Sequence, residues 1–289
     1  MAATVNVNGR ISAEHEAVIS VFDHGFLYGE GIYETLRTYG GRLFLYDRHM
    51  RRLRNSAGLI DLGLPFTDDE LAGHIRDTIA AATLDRKEAY VRVLVTRGVG
   101  DLTYDLKATA KPSWVIIVKP LLSPAAENYE RGVKVALVDV VRNHPQSVNP
   151  TIKSNNLMNQ ALAAQQALKR DGFEAVMRNY RGELTEGATS NLFIVKNGTA
   201  LTPPIESGLL PGITREFVFE VGRGAGVAVR EQVLRDDDLL GADEAFLTST
   251  TREIVPIVAV DERKIAHGNP GPVTLKLLNA FRAACSGGL

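Results

Sequence analysis

Short stretches rich in apolar and β-branched residues recur along the chain, a pattern typical of β-strands. The stretches that predict strands are 17–22, 34–39, 90–96, 114–119, 133–141, 175–178, 191–195, 244–247 and 254–260. Gly40 and Gly41 follow the second stretch and predict a hairpin turn before Leu43. Strands are therefore expected in both halves of the chain.

Other segments repeat apolar residues every three or four positions, as amphipathic helices do. The predicted helices run from about 47, from the capping box Thr67-x-x-Glu70 to about 84, from just after Lys153 to 172, from about 214, and from about 273 to 284. The glycines at 222, 224 and 226 follow a helix instead of a strand, so they predict a helix end and not a dinucleotide-binding loop.

The order of these elements decides the predicted fold class. Strands and helices are mixed without a regular βαβ order, which predicts an α+β fold and not a doubly wound sheet. The segment 120–128 contains two prolines and little periodicity, as interdomain linkers do. We therefore predict a small domain over 1–119, a linker over 120–128 and a larger domain over 129–289.

Composition narrows the class of protein. Of the 289 residues, 45% are apolar and 23% charged, and the net charge of −1 leaves no basic stripe for nucleic acid or anionic lipid. The single Cys285 excludes an intrachain disulfide, and the six histidines lack ligand-like spacing for a metal. Without an apolar leader or a run of about 18 apolar residues, a cytoplasmic protein is expected.

The stretch NPTIKSNNL, residues 149–157, places Lys153 at a predicted strand-to-helix junction. Pro150 favours an extended residue before it, and Ser154 or Asn155 is expected to cap the following helix. The helix dipole and partial burial would then both favour a neutral amine. A neutral lysine is what Schiff-base chemistry with a carbonyl requires, although an isolated lysine is ordinarily a solvated charge.

A pyridoxal phosphate enzyme needs three further groups, and the sequence has a candidate for each. Glu186 could pair with the pyridine nitrogen, and the helix start at Gly212, Ile213 and Thr214 could bind the phosphate. The hydroxyl-rich turn 248–251 could bind phosphate or carboxylate oxygens. Each feature alone also has an ordinary interpretation. Glu186 would be a solvated loop acid, the helix start at Gly212 a Pro-Gly turn, and 248–251 a β-turn.

Six blocks together resemble the class IV (fold type IV) pyridoxal phosphate enzymes over nearly the whole chain. The blocks are FDHGFLYGEGIYETLR at 22–37, HMRRLRNSA at 49–57, NPTIKSNNL at 149–157, ELTEGATSNLF at 183–193, LLPGITRE at 209–216 and LTSTTREIVPI at 247–257. The resemblance implies a small N-terminal α/β domain and a larger C-terminal pseudo-barrel domain. It also implies a homodimer or higher oligomer, in which a neighbour's loop 101–106 closes the site.

The resemblance implies a role for each matching residue. Lys153 matches the lysine that forms the Schiff base with pyridoxal 5′-phosphate and then moves the substrate proton. Glu186 matches the acid on the pyridine nitrogen, and Arg52 matches the arginine on the phosphate. The other residues implied to contact the cofactor are Leu210, Gly212, Ile213, Thr214 and Thr250.

The implied substrate site is most similar to that of branched-chain aminotransferases. Tyr90-Val91-Arg92 resembles their Tyr-x-Arg element, and the other implied substrate contacts are Tyr28, Tyr33, Arg37, Thr250 and Thr251. The segment 96–105 lacks the Arg-x-His pair with which D-amino acid aminotransferases hold the substrate carboxylate, and has Leu102 and Tyr104 near that place. Met158, however, stands where many branched-chain enzymes have a tyrosine.

We therefore expect a transaminase that moves an amino group between a branched-chain L-amino acid and 2-oxoglutarate. A D-amino acid or (R)-amine transaminase, or an aminodeoxychorismate lyase, would use the same core. A cofactor-binding or scaffold protein without turnover is the non-enzymatic alternative. It is disfavoured because a scaffold has no need of Lys153, Glu186 and Arg52 together.

Overall fold

A computed structural model describes residues 3–85, 87–109 and 111–286, and the chain divides into two compact units. The first unit contains Met1–Leu122 together with Ile152–Asn156, and the second contains Ser123–Thr151 and Leu157–Leu289. The division between Leu122 and Ser123 falls inside the predicted linker. The predicted domain 129–289 is wrong at one point, because the segment that carries Lys153 belongs to the first unit.

The first unit is a six-stranded sheet with helices. Its strands are β1 (Thr4–Val7), β2 (Arg10–Ala13), β3 (Gly31–Tyr39), β4 (Arg42–Leu43), β5 (Ala89–Thr96) and β6 (Ser113–Pro120), and its α-helices are α1 (His24–Leu27), α2 (Tyr46–Gly58) and α3 (Asp68–Ala80). Short 3-10 helices cover Glu14–Glu16 and Leu106–Ala108. The strand order β2-β1-β6-β5-β3-β4 is antiparallel throughout.

One face of this sheet forms the core of the first unit. Alternate residues of the central strands, such as Val91 and Val93, are fully buried and belong to one cluster with Leu53 of α2 and Ile75 of α3. The capping box of α3 is present, since Thr67 accepts from the Glu70 N–H while Glu70 accepts from the Thr67 N–H. With one face covered by helices, the opposite face can carry polar side chains.

The second unit is built on a nine-stranded sheet. Its strands are β7 (Val133–Val141), β8 (Glu174–Arg178), β9 (Leu184–Gly187), β10 (Asn191–Lys196), β11 (Thr199–Thr202), β12 (Val229–Glu231), β13 (Glu244–Ser249), β14 (Glu253–Val260) and β15 (Arg263–Lys264). Its α-helices are α4 (Ala126–Glu130), α5 (Met158–Leu168), α6 (Ile213–Ala225), α7 (Asp236–Leu240) and α8 (Pro272–Ser286), and a 3-10 helix covers Ile205–Ser207.

Six strands of this sheet close on themselves. The order β10-β13-β14-β7-β8-β9 returns to its start because Glu186 of β9 pairs with Asn191 of β10. β11 and β12 extend from β10, while β15 pairs with β14. This closed six-stranded sheet confirms the predicted α+β fold with a barrel-like second unit.

Four local features differ from the sequence prediction. Residues 17–22 form no strand, and Val18, Ile19, Val21 and Phe22 are exposed. The third helix begins at Met158 and not at Ser154 or Asn155. The strands β1, β2, β9, β11, β12 and β15 are absent from the prediction, and α3 ends at Ala80 instead of near 84. None of the helices in the described part of the chain combines the length and the apolar character of a membrane span.

Candidate active site

The backbone of Lys153 is fixed against the sheet of the first unit. The Tyr33 N–H donates to the Lys153 carbonyl at 2.9 Å, and the Asn155 N–H donates to the Gly31 carbonyl at 2.8 Å. The Lys153 N–H donates to Ser56 Oγ at 3.1 Å. Since these bonds extend the edge of β3, the segment is strand-like, and the predicted helix-dipole effect on Lys153 is wrong.

The Lys153 side chain lies against an aromatic ring that also contacts a guanidinium. Lys153 Nζ is 4.3 Å from the centre of the Tyr33 ring, and Arg92 Cζ is 4.1 Å from the same centre. Arg92 Nε is buried and has no hydrogen-bond partner among the described residues. The first unit therefore places an amine and a guanidinium against the same aromatic ring, and both cations are suited to an amino acid or keto acid carboxylate.

Strand register brings most of the predicted substrate residues of the first unit to one sheet face. Arg37 of β3 pairs with Tyr90 of β5, and Thr35 pairs with Arg92. Because side chains alternate along a strand, Tyr33 and Arg37 lie on the same face as Tyr90 and Arg92. This face is opposite to the helix-covered core.

Two of the predicted substrate residues, Arg37 and Tyr28, contact aromatic rings that were not predicted as substrate contacts. The Arg37 guanidinium lies 3.9 Å from the Tyr39 ring centre, and Arg37 is nearly fully buried. Tyr28 contacts the rings of His24 and Tyr104, each with a centroid distance of 5.0 Å. Tyr28 thus lies beside the loop 98–105.

A buried carboxylate holds Arg52 from the core side of β3. Glu34 accepts from Arg52 Nε at 2.7 Å and from Arg52 Nη2 at 2.8 Å, and its Oε2 is 2.7 Å from His49 Nδ1. Glu34 and His49 are fully buried. The bidentate pair fixes the plane of the guanidinium, which is how arginine gains geometric precision toward phosphate or carboxylate.

The charges of this cluster follow from its burial and its contacts. Burial alone would raise the pKa of Glu34, but the charge and hydrogen bonds of Arg52, aided by His49, hold that pKa well below its usual range. Burial lowers the pKa of His49, with Glu34 opposing the shift. Since a carboxylate only accepts, a neutral His49 donates through Nδ1, and its Nε2 has no partner among the described residues.

In the second unit, Glu186 lies at the pair that closes the barrel. Its Oε1 accepts from Arg142 Nε at 2.8 Å, and its Oε2 accepts from the Leu210 N–H at 3.1 Å and from Asn191 Nδ2 at 3.3 Å. Glu186 and Arg142 are both buried. The carboxylate is thus held as an acceptor with a cation beside it, and is not the solvated loop acid of the ordinary interpretation.

The start of α6 lies next to this carboxylate. Gly212 is the N-cap residue, and no described side chain caps the helix. A Cβ on Gly212 would collide with Asn191 Oδ1, and Asn191 Nδ2 also donates to the Leu210 carbonyl. Ile213 and Thr214 are buried in the first turn. A helix start without a side-chain cap is suited to an anion, because its first N–H groups have no acceptor within the helix.

The turn after β13 adds hydroxyl groups. The Arg252 N–H donates to the Ser249 carbonyl at 3.3 Å and closes a turn that contains Thr250 and Thr251. Thr248 Oγ1 and Ser249 Oγ are buried without a hydrogen-bond partner among the described residues. Unpartnered buried hydroxyls are costly unless a ligand or water satisfies them. The second unit therefore fits a phosphate-bearing cofactor.

The structure groups the predicted residues in two sets, one in each unit. Lys153, Arg52 and the residues of the β3–β5 face belong to the first unit, while Glu186, Leu210, the α6 start and the 249–252 turn belong to the second. Glu34, Arg142 and Asn191 are site residues that the sequence motifs do not single out. Their contacts span 18, 44 and 5 residues of sequence, and no short motif contains the first two pairs.

Comparison with known proteins assigns the family. The family model of class IV amino-transferases matches residues 31–260, and this span contains Lys153, Glu186 and Arg52. The chain belongs to the class IV aminotransferases. It is therefore an aminotransferase, an enzyme that acts on small amino and keto acids, as the sequence predicted. In the part of the chain that the structure describes, no group of three or more metal-ligating side chains could hold a metal ion.

Relatives of this aminotransferase have two kinds of name. A protein of Methanocaldococcus jannaschii, provisionally named a branched-chain-amino-acid aminotransferase, is 38% identical over 278 residues, which cover 96% of this chain and 95% of the relative. A D-alanine aminotransferase of Bacillus licheniformis is 32% identical over 275 residues, which cover 95% of this chain and 94% of the relative.

Solved structures agree with the family. The branched-chain amino acid aminotransferase of Escherichia coli superposes with a TM-score of 0.93 and 30% identity, covering 99% of this chain and 96% of its own. The enzyme of Thermobaculum terrenum, solved in its PLP form, has a TM-score of 0.87 and 28% identity, covering 98% of this chain and 94% of its own. These similarities confirm the predicted fold type IV.

Proposed function

We propose that this class IV aminotransferase moves an amino group between a branched-chain L-amino acid and 2-oxoglutarate. The observation that carries the proposal is the pairing of Lys153 Nζ and the Arg92 guanidinium on the Tyr33 ring. The amine is suited to the reacting carbon and the guanidinium to a substrate carboxylate. The aromatic rings of Tyr33 and Tyr90 offer apolar surface for a branched side chain.

Pyridoxal 5′-phosphate is the cofactor. When bound, it supplies an electron-withdrawing ring that stabilises negative charge on the substrate Cα. We propose that Lys153 holds its aldehyde carbon, that Glu186 pairs with its ring nitrogen, and that Leu210 contacts the ring. Its phosphate would be bound by Arg52, the Gly212–Thr214 helix start and Thr250.

The protein side chains would perform the proton transfers and the positioning. The Lys153 amine would take the proton from the substrate Cα and deliver it to the former aldehyde carbon of the cofactor, on the other side of the amino nitrogen. The Glu186 carboxylate, held as an acceptor by Arg142, would keep a proton on the ring nitrogen. Arg92, with the Thr250–Thr251 turn, would hold the substrate carboxylate and so orient the Cα–H bond.

The assembly is also part of the proposal. Exposed apolar side chains of the first unit, among them Phe22, Phe26, Leu102 and Tyr104, support a homodimer or higher homo-oligomer. In it, the loop 101–106 of a neighbour would close the site. The cytoplasmic location stays a prediction.

A D-amino acid transaminase is the second candidate. The D-alanine aminotransferase relative favours it. Met158, exposed at the start of α5, favours it as well, because it is an apolar residue where many branched-chain enzymes have a tyrosine. The absence of an Arg-x-His pair at Leu102 and Tyr104 disfavours it, because a different carboxylate ligand would then be required.

An amino-donor assay separates the candidates. Purified protein with pyridoxal phosphate would receive L-leucine, D-alanine or an (R)-amine, each with 2-oxoglutarate or pyruvate as acceptor. We expect L-leucine with 2-oxoglutarate to react fastest, and Arg92→Met to raise KM for the keto acid. Turnover of D-alanine or the (R)-amine alone would overturn the substrate assignment. Product only from a chorismate-derived amine would establish the lyase.

A further inference from the structure

One buried carboxylate in the second unit collects hydrogen bonds from two separate loops. Glu174, the first residue of β8, is 5% exposed. It accepts from the Ala188 N–H at 3.1 Å, from Thr189 Oγ1 at 2.7 Å and from Ser190 Oγ at 3.2 Å. It also accepts from Arg252 Nη2 at 3.0 Å. The four donors come from sequence positions 14 to 78 residues away.

Both loops carry residues of the proposed site. The segment 188–190 connects Glu186 of β9 to Asn191 of β10, and these are the two residues of the barrel-closing pair. Arg252 is the last residue of the turn that contains Thr250 and Thr251. The Glu174 carboxylate thus fixes the segment that follows Glu186, the proposed partner of the ring nitrogen. It also fixes the turn that contains Thr250 and Thr251, which are proposed to bind phosphate and carboxylate oxygens.

The two loops are also joined to each other at this point. Arg252 Nη2 contacts Thr189 Oγ1 as well as Glu174, and its guanidinium lies 5.3 Å from the Phe173 ring centre. Gly187 leaves no room for a side chain here, because a Cβ would lie against Ser190 Oγ and 3.0 Å from Glu174 Cγ. Such a close-packed polar group tolerates little displacement, since each donor would lose its buried partner.

We propose that Glu174 is a positioning residue that couples the Glu186 loop to the Thr250–Thr251 turn, with Arg252 as its cationic partner. The inference rests on the proposed roles of Glu186 and Thr250. It assigns Glu174 no contact with substrate or cofactor. Its effect passes through the two loops, so that loosening either loop loosens the other.

Hydrogen–deuterium exchange on the cofactor-free protein tests the coupling without any turnover. The variants are Glu174→Gln, which removes the charge and keeps the size, and Arg252→Met, which removes the cation from a partly exposed position. The control is Asp236→Asn, which breaks the bidentate pair between Asp236 and Arg178 of the same strand β8, at 2.8 and 2.7 Å. If Glu174→Gln fails to fold, Arg252→Met still tests the coupling.

We expect amides of 187–190 and of 249–252 to exchange about tenfold faster in both variants, and at the wild-type rate in the control. The decisive result is that Arg252→Met accelerates exchange at 187–190 as well as in its own turn. Acceleration confined to the substituted turn, or equal acceleration in the control, would overturn the proposal.

A second measurement separates this inference from the proposed function. Glu174→Gln should release pyridoxal phosphate about tenfold faster and raise KM more than it lowers kcat, because both loops lose their fixed geometry. A wild-type protein that binds no pyridoxal phosphate would refute the proposed function and leave the exchange result to decide the coupling. Unchanged release from Glu174→Gln, with the wild type binding normally, would refute the coupling alone.

Discussion

Glu34 shows how a single buried charge supports the proposed site. Replacing it with glutamine should lower the free energy of unfolding at neutral pH by about 3–5 kcal/mol, because the buried Arg52 loses its bidentate pair with a charged carboxylate. Chemical denaturation would measure the loss. The control Asp68→Asn, which breaks the exposed pair with Arg54, should cost less than about 1 kcal/mol.

The pH dependence of the Glu34 effect has a definite sign. The pKa of Glu34 is depressed in the folded protein, so its contribution is complete above the unfolded value of about 4.3 and is lost as the pH falls below it. The difference between wild type and Glu34→Gln should therefore shrink at acid pH. A difference that grows on acidification would contradict the assigned ion pair.

Gly212 gives a second prediction for a single residue. Gly212→Ala should cost about 1–3 kcal/mol and weaken cofactor binding, because the new Cβ collides with Asn191, a partner of Glu186. Gly224→Ala in the same helix has open space and should stabilise by about 0.5–1 kcal/mol. Thermal unfolding and cofactor titration would measure the two effects, and equal behaviour of both variants would contradict the assignment.

The sequence predicts some site residues and cannot predict others, for a physical reason. Lys153 and Glu186 stand in short motifs whose chemistry is visible locally. Glu34 and Arg142 act through partners 18 and 44 residues away, and only the folded sheet and barrel bring those pairs together. The predicted helix-dipole effect on Lys153 was wrong because backbone pairing with β3 replaced the expected helix start.

At the scale of elements, the capping box of α3 is a local signal with a measurable effect. Thr67→Ala should lower the free energy of unfolding by about 1 kcal/mol, because the Glu70 N–H loses its acceptor at the helix start. Thr83→Ala, at an exposed position, is the control and should change stability by less than about 0.5 kcal/mol. Equal losses in denaturant unfolding would show that the box adds nothing.

Several long strands were predictable, and the shortest strands were not. Strands such as β5 and β7 match their predicted ranges within a residue, because eight or nine residues display a clear pattern. β9 and β11 have four residues each and show too little periodicity. The stretch 17–22 has strand-like composition but forms no strand. Asn8-Gly9, a pair typical of hairpin turns, connects β1 and β2.

At the scale of the molecule, the chain path explains the error in the domain prediction. A division at one linker assumes that each domain is continuous in sequence. The second unit is interrupted at Ile152–Asn156, whose backbone pairs with β3 of the first unit. Amino-acid composition does not reveal that the chain returns to the first unit here, because five residues change the average composition of a segment very little.

Self-association is the prediction that belongs to this scale. We expect light scattering to give a mass well above the 31.4 kDa of one chain. Phe26→Asp, at a side chain that is 65% exposed, should reduce that mass, because a buried charge opposes association. Leu168→Asp, equally exposed on α5 of the second unit, is the control. A wild type with the mass of one chain would refute the assembly.

We propose above all that Lys153 binds pyridoxal phosphate covalently. The most direct measurement is borohydride reduction of the cofactor-loaded protein, followed by peptide mass spectrometry and a visible absorbance spectrum. We predict a yellow protein with the cofactor mass on the peptide that contains Lys153, loss of both signals in Lys153→Ala, and no change in the control Lys169→Ala. A colourless wild type, or the cofactor mass on another lysine, would contradict the account.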